Sequence, residues 1–119
     1  MSLRIGRIAA GMILSLIAGA AIAQDAPNGD AERGKELFES VGCFQCHGFV
    51  GQGGGAGPAI APPMAFPPFE LQLRTPRAVM IPYSEDVLSD QAAADIHAYL
   101  ASLPPPPDPA SIPLLQSMP

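Results

Sequence analysis

The hydrophobic pattern changes character several times along the chain. Residues Ile8 to Ile22 are apolar or small and uncharged, after a start that carries Arg4 and Arg7. From Gly29 to Val41, Gly34, Leu37, Phe38 and Val41 recur at spacings of three and four, which predicts an amphipathic helix. Asn28 or Asp30 can cap it, Glu32 suits its first turn, and Gly42 stops it. Periodicity is then lost from Phe49 to Pro68, where a glycine-rich run (Gly51 to Gly57) precedes Pro58, Pro62-Pro63 and Pro67-Pro68. Such a stretch is expected to be neither helix nor central strand. A short helix is expected around Phe69 to Leu73. The strongest periodic signal is Ser89 to Leu103: Ser89 as N-cap, Asp90 favourable to the dipole, and Ala92, Ala93, Ile96, Tyr99, Leu100 and Leu103 on one face before Pro104. The prolines from Pro104 to Pro113 predict a polyproline-like, extended and solvated tail.

The N-terminal pattern changes the composition. Two cations, an uncharged apolar run and the small-x-small triplet Ala21-Ile22-Ala23 read as a signal peptide over residues 1–23. The run is near the lower length limit of a membrane-spanning helix, so a membrane is expected only if it stays uncleaved. Export places the chain in the periplasm, an oxidising compartment where paired cysteines must be bridged, metallated or capped. Cleavage leaves 96 residues that keep all 15 prolines and 9 of the 12 glycines, close to the composition of disordered chains. Something besides an apolar protein core is expected to organise it. The four remaining cations face eleven acids, a net charge of −7 that excludes nucleic acid and anionic lipid as partners. The organisation expected is signal peptide 1–23, linker 24–28, one domain over 29–103, and a Pro-rich tail over 104–119.

One motif supplies the missing organiser. Cys43-Phe44-Gln45-Cys46-His47 is Cys-x-x-Cys-His, the pentapeptide to which c-type haem is attached. Two thiols three residues apart can each form a thioether to one vinyl group, while the adjacent imidazole reaches the iron from the same side. The macrocycle then contributes the apolar surface that the chain lacks. Three alternatives explain less. A thioredoxin-like redox pair needs a strand before the motif and a long helix after it. A zinc site would need a fourth ligand from His97, the only other histidine, which does not share its helix's apolar face. A plain disulfide leaves His47 unexplained. The glycine run lacks the Lys-Ser/Thr of a phosphate-binding loop.

His47 is the expected fifth ligand of one haem c iron. Met64, Met80 and Met118 are the thioether candidates for the sixth. Met80 is preferred, because Met80-Ile81-Pro82-Tyr83 lies where a loop can fold back over the opposite face. Met64 is the runner-up, and His97 or an open position remain as alternatives. The exposed haem edge is expected near Cys43, with Pro58, Ile60, Phe66, Phe69 and Met80 covering the ring.

In order along the chain, Gly34-x-x-x-Phe38, Cys43-x-x-Cys46-His47, Gly57-Pro58, Met80-x-Pro82-Tyr83, Leu88-Ser89-Asp90 and Asp95-Ile96-x-Ala98-Tyr99-Leu100 resemble a class I c-type cytochrome. The resemblance spans roughly Gly29 to Leu103. It implies an all-α haem fold whose first and last helices cross at Gly34 and Phe38 against Ile96 and Tyr99. It also implies that the Pro58 carbonyl accepts a hydrogen bond from the other ring nitrogen of His47.

With His and Met both bound, the iron has no open position, and no residue pairs as nucleophile and base. The expected function is therefore single-electron transfer without catalysis. The partner expected is a redox protein, with a dehydrogenase as donor and a cytochrome or oxidase as acceptor. The chain would act either as a diffusing carrier or as the cytochrome subunit of a periplasmic dehydrogenase. A haem sensor or peroxidase-like protein with a labile sixth ligand is the alternative.

Overall fold

A computed structural model describes residues 27–118, so the signal peptide expected over residues 1–23 lies outside the described residues. The described residues form helices and no strand: α1 (Ala31–Ser40), α2 (Phe44–His47), α3 (Phe66–Arg74), α4 (Asp90–Ser102), a 3-10 turn (Pro109–Ser111) and α5 (Pro113–Gln116). None of them is long and apolar enough to cross a membrane. This is the all-α class the resemblance implies.

Asp30, not Asn28, caps α1. Its carboxylate accepts from the amides of Glu32 and Arg33, at 2.9 and 3.1 Å. The helix ends in a Schellman motif: Gly42, at φ 83°, donates to Glu39 O, and the Cys43 amide donates to Phe38 O. α4 begins at the Ser89 cap, whose hydroxyl accepts from the Ala92 amide at 3.2 Å.

The two helices cross with almost no space between backbones. A Cβ on Gly34 would overlap the Asp95 carbonyl, and one on Gly29 would overlap the Ala94 carbonyl. Phe38 packs on Tyr99 with ring centroids 5.6 Å apart. Close approach also buries what periodicity left at the margin of α4. Ala94 and Asp95 are buried along with Ala93, Ile96, Tyr99 and Leu100, whereas Ala92 and Leu103 are half-buried. The Asp95 carboxylate is fully buried and accepts from the Asp30 amide (2.9 Å), Arg33 Nε (2.6 Å) and Gln91 Nε2 (3.0 Å). It ties the start of α1 to the middle of α4.

α3 corrects the expectation that residues up to Pro68 avoid helix. It starts at Phe66, with Pro67 and Pro68 in its first turn. There an amide has no intrahelical partner to lose, and the fixed φ of proline suits the helix. Phe66, Phe69 and Leu73 then share its buried side, and α3 packs against α4. Together with Phe38, Leu88 and the α4 residues they make a protein core, so the haem is not the sole source of buried apolar surface.

The tail also departs from expectation. Instead of a continuous extended segment, Asp108 caps the 3-10 turn by accepting from the Ala110 amide, and Pro113 opens the single turn of α5. Pro104 and Pro106 line a cleft with Val50, Gln52, Ala59 and Ala61, so the tail begins against the glycine-rich loop. Leu114, Leu115 and Met118 are exposed.

Candidate functional site

The capping that ends α1 also places the first thiol. Because the Cys43 amide is part of the Schellman motif, the chain turns directly from α1 into α2. The amides of Cys46 and His47 donate to the Cys43 carbonyl at 3.3 and 3.1 Å. Positions three and four apart on one helical turn share a face, so both sulfurs and the imidazole project from the same side. Gly48, at φ 76°, ends the turn.

No disulfide joins Cys43 to Cys46. Burial pushes the Cys43 thiol up to about 11, offset only in part by the neighbouring Tyr83 hydroxyl. A dithiol redox pair requires the reverse, a thiol pKa lowered toward neutrality. Cys43 is half-buried and Cys46 is exposed, so solvent reaches the second thiol more readily than the first.

The His47 ring is fixed by the loop that follows. Its Nδ1 lies 2.8 Å from the Pro58 carbonyl oxygen. A carbonyl can only accept, so Nδ1 carries the proton and Nε2 keeps a lone pair for a metal. Gly57 permits the approach, because a Cβ there would sit 2.9 Å from the Cys46 carbonyl oxygen. The Gly53 amide donates to His47 O at 2.8 Å, and Gly51 O accepts from Ile60 and Ala61. The glycine-rich segment is thus a hydrogen-bonded wrap around the motif.

Met80 is half-buried and packs against the core. Its loop leaves α3 and is pinned on return. The Tyr83 amide donates to Leu73 O at 2.9 Å, and Arg74 Nη1 donates to the carbonyls of Tyr83 (3.0 Å) and Leu88 (2.8 Å). The other Arg74 amino group meets the Asp90 carboxylate at 2.6 Å. The Tyr83 hydroxyl donates to Val41 O at 3.1 Å, which joins the Met80 loop to the residue that precedes Gly42 and Cys43. The family resemblance marked Tyr83, Leu88 and Asp90 in the sequence, but no sequence pattern showed that Arg74, the first cation after Lys35, ties them together.

The other ligand candidates are placed differently. Met64 is exposed, and its carbonyl accepts from His97 Nε2 at 2.8 Å. His97 is half-buried between the rings of Phe66 and Phe69, at centroid distances of 5.6 and 5.3 Å. It therefore does share the apolar surface of its helix, because α3 packs there. Met118 lies exposed after α5. Of the residues expected to cover the ring, Phe66 and Phe69 are buried, Ile60 is half-buried and Pro58 is exposed.

These residues fit a covalently attached haem. Two thiols stand on one face of a turn with an imidazole whose Nε2 is available. Beside the pinned Met80, Val79 and Ile81 are 92% and 66% exposed, apolar side chains of the kind a large apolar group would cover.

Residues 29–100 match the family described as Cytochrome C oxidase, cbb3-type, subunit III. No curated protein and no solved structure matches. A match over more than half of the chain, on the helices and the Cys-x-x-Cys-His turn described above, places this chain in that family, as a class I c-type cytochrome that carries covalently bound haem c and serves electron transfer.

Proposed function

We propose that the chain is a periplasmic monohaem cytochrome whose iron is held by His47 and Met80, and that it passes single electrons between a dehydrogenase and a cytochrome or oxidase. When bound, the haem supplies a one-electron couple that a thioether ligand places at relatively high potential. The chain's residues do the rest. Cys43 and Cys46 anchor the group, and Pro58 holds His47 in one tautomer and one orientation. Arg74 and Tyr83 keep the Met80 loop in place with no substrate present.

The observation that carries this reading is the pinned Met80 loop. Of the three thioethers, Met80 alone is half-buried on a segment tied to the motif through Tyr83 and Val41. With His47 and Met80 both holding the iron, peroxide or oxygen would find no site there, which favours transfer over catalysis. A net charge of −7 on the mature chain suits a partner with a basic docking surface.

The test is the near-infrared charge-transfer band of a thioether bound to ferric iron. The oxidised protein should show it, and Met80→Ala should lose it while Met64→Ala keeps it. A band that persists in Met80→Ala overturns the ligand assignment. Native co-purification separates the two roles: a carrier elutes alone, and a subunit elutes with its dehydrogenase.

A further inference from the structure

The Met80 sulfur has a protein partner that the electron-transfer reading does not use. Gln72 Nε2 lies 3.6 Å from Met80 Sδ, within the range of an amide donating to a thioether. The far end of the same amide is also engaged, because Arg77 Nε donates to Gln72 Oε1 at 3.2 Å.

The second contact decides the direction of the first. A guanidinium has only donors, so the oxygen of the Gln72 amide must face Arg77. The amide nitrogen must then face the sulfur. Without Arg77 the amide could turn its oxygen toward Met80, where a lone pair would meet a lone pair. Gln72 is half-buried on α3, between the buried Phe69 and Leu73, so its backbone is fixed and only the amide rotor needs setting.

We infer that Arg77 and Gln72 form a positioning pair that keeps a hydrogen-bond donor on the Met80 thioether and so favours the reduced state of the centre. The inference rests on Met80 being the sixth ligand. A donor withdraws electron density from the sulfur, and that density matters more to the electron-poor ferric iron than to the ferrous one. Removing the donor therefore stabilises the oxidised state. Gln72 acts on the sulfur, and Arg77 acts only through Gln72.

The test is potentiometric titration of the haem-loaded protein, with the thioether charge-transfer band as a second readout. Gln72→Leu places a good helix former in α3 and removes the donor. It should lower the reduced-to-oxidised ratio at a fixed potential by roughly three- to tenfold, the scale of one ordinary hydrogen bond, while the band persists. Arg77→Met should also lower the ratio, partly through lost charge. That charge effect remains in the Gln72→Leu background, so Arg77→Met should act more weakly there than in the wild type. Arg77→Lys, which keeps a cation and a donor, should recover most of the ratio. Equal effects of Arg77→Met in the two backgrounds, or an unchanged ratio in Gln72→Leu with the band intact, would overturn the pair. A band that survives Met80→Ala would remove the ligand reading beneath it, a separate failure that overturns the pair as well.

Discussion

Gly34 and Asp95 meet backbone to backbone: the carbonyl of Asp95 occupies the place where any side chain on Gly34 would begin. The obstacle is main chain in the middle of α4, so rotamer changes cannot relieve it. Gly34→Ala must separate the helices, pulling Phe38 from Tyr99 and loosening the Asp95 carboxylate network. The expected loss is at least about 2 kcal/mol, at or above the usual cost of overpacking. Denaturant unfolding of the haem-loaded protein checks it, and an unchanged midpoint at the same slope would contradict the crossing.

The Asp95 carboxylate titrates against its surroundings. Burial alone raises its pKa, but the Asp30 amide, the Gln91 amide and the Arg33 guanidinium outweigh burial and hold it below the ordinary carboxylate range. A pKa depressed on folding contributes stability that is fully present above the unfolded value, about 3.9, and is lost as pH falls through the folded value. Asp95→Asn should cost about 1–3 kcal/mol near neutral pH. The gap between wild type and variant should close below about pH 4. A gap that stays constant from pH 7 to pH 3 would show that the ionised form contributes nothing.

Arg74 holds both ends of the segment that follows Met80, through the carbonyls of Tyr83 and Leu88. Arg74→Met keeps much of the stem and removes the donors, leaving those carbonyls without it. The expected cost is about 2–3 kcal/mol, from bonds that involve a charged partner. It should fall on the Met80 loop first. In the haem-loaded variant, added imidazole should displace the sixth ligand at lower concentration than in the wild type; an unchanged concentration would mean that Arg74 does not hold the loop.

Gly57 determines how closely the Pro58 carbonyl can approach His47. A methyl group there presses on the Cys46 carbonyl oxygen, so Gly57→Ala should lengthen the bond from His47 Nδ1. An imidazole less firmly oriented is a weaker ligand. In the haem-loaded protein, the denaturant concentration at which the His47 ligand is lost should therefore fall in Gly57→Ala. An identical midpoint in both proteins would mean that the Pro58 contact does not support the ligand.

The attachment chemistry and the helix limits were legible in the sequence because each depends on a few neighbouring residues. Cys43, Cys46 and His47 need only their spacing to share one turn. Asp30, Gly42 and Ser89 act within a turn of the ends they form. The prolines at 67 and 68 misled for the same reason: what a proline does depends on whether a helix begins just before it, and the burial of Phe66 and Phe69 against α4 decides that. The carbonyl that accepts from His47 Nδ1 came with the family resemblance, while the space that Gly57 leaves for it is a tertiary fact.

Other features lay beyond any local pattern. Asp95 looks like a solvated charge until Gly29 and Gly34 let α1 close over it. His97 looks polar until α3 places two aromatic rings against it. The partners of Met80 come from the amide of Gln72 and, through Tyr83, from the end of α1. By itself, the sequence determined that this chain carries a covalent haem and is helical, since those properties follow from residue type and spacing. Only the tertiary structure decided how the Met80 loop is held and which groups surround its sulfur, because those contacts join residues that chain order keeps apart.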